Sequence, residues 1–85
     1  MAEDITKHLS KEILLRAVIS CNLKKLRKKC KLTQDELAIR TGINRVTIAR
    51  YESCQLAMGL DKLLTIAKAL EVSPTDLLDG WETLY

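Results

Sequence analysis

The chain has 85 residues, 47% of them hydrophobic, and 14 basic against 11 acidic side chains give a formal net charge of +3. That length supports one small domain that buries a modest share of its surface, so self-association would help it. Three cysteines without a C-x-x-C pair and a single histidine, His8, make no zinc pattern, and no apolar run is long enough to span a bilayer.

The segment MAEDITKH carries two acidic residues in place of the apolar core of a signal peptide, so a cytoplasmic protein with reduced thiols is expected. No nucleophile–base pair or phosphate loop is visible, so neither an enzyme nor a cofactor is expected. The charge is uneven along the chain. Residues 21–50 hold nine basic side chains against only Asp35 and Glu36, and the rest of the chain is net acidic. Such a segment suits nucleic-acid phosphates, although Lys24, Lys25, Lys28 and Lys29 also read as a solvated lysine face.

In chain order, residues 1–9 show no periodicity and are expected to be a frayed tail, with 10–85 forming a single domain. The stretch SKEILLRAVISCNLKKLRKKC then reads as helix, capped by Ser10 and ending in lysines that suit the helix dipole. Ile19, Leu23, Leu26 and Cys30 fall at spacings of four, three and four, which predicts an inward stripe. Upstream, Ile13, Leu14, Leu15, Ala17 and Val18 form an apolar face too broad to be simply solvated. It either packs back onto the domain or pairs with a second copy. A membrane-surface helix fits less well, since only Lys11 and Arg16 oppose Glu12. The pattern does not say whether residues 10–30 are one helix or two.

The informative stretch is 33–52, TQDELAIRTGINRVTIARYE. Thr33 can cap a helix, and Glu36 three positions on can reach back to its N–H, a reciprocal capping box. Leu37, Ala38 and Thr41 are expected inward. Gly42 allows the left-handed turn that stops this helix, and Asn44 caps the next, whose inward residues are Ile48 and Tyr51. Two helices joined so tightly must cross steeply, which is a helix-turn-helix.

After the loop SCQLAMG, LDKLLTIAKAL places Leu60, Leu63, Leu64, Ala67 and Leu70 on an apolar face with Ile66 beside them. Ser73 and Pro74 open the last helix with a cap followed by proline. Leu77, Leu78, Trp81, Leu84 and Tyr85 would recur on one face, interrupted by Gly80. Such a stripe is either stapled to the core or forms a dimer contact, and the leucines already available for the core favour the homodimer.

Gln34, Leu37, Ala38, Gly42, Ile43, Ile48 and Glu52, preceded by Leu26 and Arg27 and followed by LDKLLTIAKALEVSPTDLL, resemble the Cro/phage-repressor (XRE-type) helix-turn-helix family. The resemblance covers roughly residues 19–78 and implies an all-α, five-helix, lambda-repressor-like DNA-binding domain, here with an extended N-terminal helix. The loop departs from the family, which usually has glycine near Cys54 and proline near Met58.

The resemblance implies that Gln34 and Asn44 contact phosphates and that Arg27 and Glu52 form a partly buried ion pair. By position on the second helix, Arg45, Val46 and Arg50 are the expected base readers, with Thr47 serving a base or a phosphate. Arg40 is a further phosphate candidate. The bland readings are that Asn44 is only a cap and that Thr47 and Arg40 are only solvated. The function expected is a homodimeric repressor reading a palindromic operator in double-stranded DNA. The alternative is an antitoxin or other protein-interaction module on the same fold, with a protein partner.

Overall fold

The computed structural model describes residues 9–85. The expected frayed tail, apart from Leu9, and His8 lie outside the described residues. Residues 10–30 make one continuous helix, α1 (Lys11–Lys29), whose cap Ser10 accepts a hydrogen bond from the Ile13 N–H. It is followed by α2 (Gln34–Thr41), α3 (Arg45–Glu52), α4 (Leu60–Ala69), α5 (Pro74–Leu77) and a terminal 3-10 helix (Trp81–Leu84). No helix of the described residues is long and apolar enough to cross a membrane.

The core is built from α1, α2, α3, α4 and α5 together. Leu23, Leu37, Ile48, Ile66 and Leu77 are the large side chains fully enclosed, with Leu32, Ile43, Tyr51, Leu63, Ala67 and Leu70 completing the cluster. Deleting a fully buried leucine from such a cluster typically costs about 2–5 kcal/mol. The buried line of α1 runs through Ser20, Leu23 and Arg27, with Ile19 and Leu26 only partly buried beside it. The stripe is therefore rotated relative to the expectation from apolar spacing, and Cys30 is exposed, as are Cys21 and Cys54. The rotation has a cause. Ser20 donates to the Tyr51 carbonyl and Arg27 pairs with Glu52, so two polar residues occupy the interior with partners.

Three more expectations are corrected. Leu60 and Leu64 lie on the exposed side of α4, whose inner line is Leu63, Ile66, Ala67 and Leu70. The terminal residues do not share one helical face, because α5 ends after one turn and Gly80 takes a left-handed φ of 98° before the 3-10 helix. Leu77 is consequently a core residue and not a surface contact, while Trp81 and Tyr85 remain exposed and Leu84 is half-buried. Ala38 is half-buried and packs against the core, so its inward expectation holds.

The N-terminal extension of α1 packs back onto the end of the chain. Leu15 borders one apolar cleft with Leu78, Trp81 and Tyr85, and Leu14 and Val18 border another with Leu84. The Lys11 Nζ sits 4.8 Å from the Tyr85 ring centre, and the Asn22 amide donates to the Leu77 and Asp79 carbonyls at 2.9 and 3.0 Å.

Candidate nucleic-acid interface

The two helices of the motif are each started and stopped by local chemistry. Thr33 Oγ1 accepts from the Glu36 N–H, and the Thr33 N–H donates to Glu36 Oε1, both at 3.0 Å. The Thr33 backbone N–H, with its hydroxyl second, holds the Glu36 carboxyl below the usual carboxylate range. At the other end Gly42 adopts φ 73° and returns its N–H to the Ala38 carbonyl at 2.9 Å. Thr41 sutures the turn: its hydroxyl donates to the Leu37 carbonyl at 2.8 Å and accepts from the Ile43 N–H at 3.2 Å. Asn44 then caps α3, its Oδ1 accepting from the Val46 N–H at 2.8 Å.

With Ile48, Tyr51 and Glu52 buried, helical geometry turns Arg45, Val46 and Arg50 outward, and all three are exposed. Thr47 is half-buried beside them and Arg40, at the end of α2, is exposed. Asn44 is exposed, and its amide N–H groups have no partner among the described residues while its oxygen serves the cap. Cap and phosphate donor are thus compatible roles for one side chain.

Behind this face, α1 is joined to α3 by a buried ion pair. Arg27 Nε donates to Glu52 Oε2 at 2.6 Å, Nη2 donates to Oε1 at 2.9 Å, and Nη1 donates to the Leu32 carbonyl at 2.7 Å. Burial alone would push the Glu52 carboxyl up. Hydrogen bonds from Arg27 and Gln34 and the charges of Arg27 and Lys24 outweigh it, so the carboxyl lies below the usual range. The hydrogen bond to Glu52 raises the Arg27 guanidinium in turn.

Gln34 is part of this junction. Its Nε2 donates to Glu52 Oε1 at 3.2 Å, which leaves the second amide hydrogen for a partner outside the protein. Sequence reasoning missed three elements of the site: the Gln34–Glu52 bond, the Ser20 bond to the α3 backbone, and an ion pair between Arg45 Nε and Asp35 Oδ1 at 3.1 Å. The ion pair crosses from α2 to α3, so neither helix's period announces it. Lys24, Lys25 and Lys28 flank a shallow depression that reaches Glu52 and Cys54, so this lysine face borders the C-terminal end of α3.

A five-helix domain that crosses two short capped helices at a glycine turn, with Arg45, Val46 and Arg50 exposed on the outer face of the second, is a helix-turn-helix domain. The family model for helix-turn-helix (HTH_3) matches residues 23–77, and the chain belongs to that family, a family of DNA-binding transcriptional regulators.

Among solved structures, an HTH_3 family transcriptional regulator from Vibrio cholerae superposes with a TM-score of 0.79 at 25% identity, covering 85% of this chain and 41% of that one. The present chain thus spans well under half of that regulator. A hypothetical transcription factor, NHTF from Neisseria, gives 0.75 at 31% identity over 82% of each chain. The restriction-modification controller protein C.Esp1396I, solved as a tetramer with its natural operator, gives 0.71 at 27% identity over 82% of this chain and 92% of that one. No curated protein matches the sequence.

Proposed function

We propose that this chain is a homodimeric, sequence-specific repressor acting in the cytoplasm, whose α3 lies in the major groove of a palindromic operator. The observation that carries the reading is the outer face of α3, where two arginines and a valine stand exposed on a helix anchored from behind by a buried ion pair. Arg45 and Arg50 would donate to guanine O6 and N7, Val46 would meet a thymine methyl, and Thr47 would reach a base or a phosphate. Gln34, through its remaining amide hydrogen, Asn44 and Arg40 would hold the phosphate backbone.

Two copies about 34 Å apart would read successive groove faces. The exposed Trp81 and Tyr85, with Leu78 and Leu84 beside them, are the proposed dimer contacts. The similarity to a controller that assembles on operator DNA supports a multimeric reading.

The test is fluorescence-anisotropy binding to a randomised duplex pool, titrated against salt, beside the Arg45→Ala, Arg50→Ala double variant. A palindrome should be enriched by the wild type and lost in the variant, which should keep a steep salt slope. Binding that stays micromolar and unselective would refute sequence-specific reading. Sedimentation of Trp81→Ala, Tyr85→Ala checks the dimer surface, which is wrong if that variant assembles like the wild type.

A further inference from the structure

The basic segment around the motif contains two carboxylates, and a carboxylate facing DNA opposes binding. Glu36 is accounted for, since both of its roles in the α2 capping box are filled. Asp35 suits the positive end of α2, as Glu36 does, but no cap or backbone hydrogen bond uses its side chain, and its partner among the described residues is Arg45. Both groups are largely exposed, so the pair adds little to folding. A negative charge kept at the edge of the DNA-reading face therefore asks for another role.

The geometry supplies one. Asp35 Oδ1 lies 3.1 Å from Arg45 Nε. That ion-pair contact lies on the Nε edge of the guanidinium and leaves the terminal pair, Nη1 and Nη2, without a partner among the described residues, as two parallel donors. A guanine presents O6 and N7 as two adjacent acceptors, and a bidentate contact needs the guanidinium plane held in one orientation. We propose that Asp35, from the first turn of α2, is a specificity-setting residue that orients Arg45 so that its terminal amines read a guanine.

The proposal rests on Arg45 being a base reader. It gives Arg45 and Arg50 different roles. Arg50, exposed and without an ion pair among the described residues, reaches its base as a freely rotating side chain, whereas Arg45, held by Asp35, reads its guanine from a set orientation. The charge on Asp35 also produces an opposed effect, because it repels every phosphate regardless of sequence. Removing it should tighten unselective binding while weakening selective binding, a pair of changes that general destabilisation or simple charge removal would not produce.

The experiment measures anisotropy affinities of wild type, Asp35→Ala, Asp35→Asn, Arg45→Ala and the Asp35→Ala, Arg45→Ala double variant. The probes are the duplex that the wild type enriches from a randomised pool and a scrambled duplex of equal length. Asp35→Ala should lose about tenfold in the ratio of the two affinities and bind the scrambled duplex at least as tightly as wild type. Asp35→Asn, which keeps an acceptor for Nε, should lose less, and the double variant should be no less selective than Arg45→Ala alone.

Equal tightening on both duplexes by Asp35→Ala, with Arg45→Ala still losing selectivity, would overturn the orienting role and leave the base reader standing. An unchanged ratio in Arg45→Ala would overturn the assignment of Arg45 itself, and with it this proposal. Enrichment of no duplex by the wild type would refute the functional reading beneath both. If Asp35→Ala proves unfolded by circular dichroism, Asp35→Asn carries the same comparison, since asparagine is tolerated at the start of a helix.

Discussion

Two arginine–carboxylate pairs sit at opposite ends of the same helix and do opposite work. At the C-terminal end of α3, Arg27 and Glu52 are 2.6 Å apart with side chains only 11% and 2% exposed. At its N-terminal end, Arg45 and Asp35 are 3.1 Å apart and 59% and 71% exposed. The chemistry is the same and the dielectric surroundings differ. Inside, a lone charge has no water to replace a lost partner, so the pair fixes how α3 sits against α1 and α2. Outside, water substitutes readily, so the pair contributes orientation rather than stability and leaves Arg45 available to a ligand.

The largest test of this contrast is Arg27→Met, which strands Glu52 in the interior and should cost about 3–5 kcal/mol in urea denaturation. A variant that unfolds at the wild-type midpoint yet loses DNA affinity would make Arg27 a contact residue and end the comparison.

Acid should act next, on the interior pair. The Glu52 carboxyl ionises lower in the folded than in the unfolded chain. Its contribution is therefore complete above the unfolded value of about 4.3 and is lost as the pH falls through the lower folded value. Glu36 adds to the same window. Denaturation measured from pH 6 down to pH 3 should show stability falling below about pH 4.3. A double variant, Arg27→Met with Glu52→Gln, should fall less steeply. Equal slopes would mean that Glu52 titrates alike in the folded and unfolded chains.

The smallest effect belongs to the surface pair. Asp35→Ala and Arg45→Ala should each shift stability by less than about 1 kcal/mol, with a coupling that added salt removes. A salt-insensitive coupling as large as that of the interior pair would erase the distinction drawn here.

The helix ends show why some of the fold was plain in the sequence and some was not. Gly42 and the Thr33–Glu36 box are residue-specific stop and start signals. By contrast α1, α3 and α4 are followed, two residues past their ends, by Lys31, Cys54 and Glu71, which take φ values of 59°, 63° and 57° that glycine normally supplies. Each is followed by the paired backbone hydrogen bonds of a Schellman turn, for example Gln55 N–H to the Arg50 carbonyl at 2.9 Å. The loop that departs from the family at Cys54 thus keeps the glycine-type conformation without the glycine. All three residues are exposed, and the paired backbone hydrogen bonds hold them where their own preference would not.

Local order and helical period decided, from the sequence alone, that this chain forms a helix-turn-helix and that Arg45, Val46 and Arg50 face away from Ile48 and Tyr51. These are properties of neighbouring residues, and caps, a left-handed turn and a 3.6-residue period act within a few positions of one another. Only the tertiary structure decided that Ser20 lies on the buried line of α1, that Leu77 belongs to the core while Leu60 and Leu64 do not, and that Asp35 meets Arg45. Each depends on neighbours brought near by the fold, such as the carbonyl 31 residues away that takes the Ser20 hydroxyl, and a polar residue's burial is set by that partner and not by its own hydropathy.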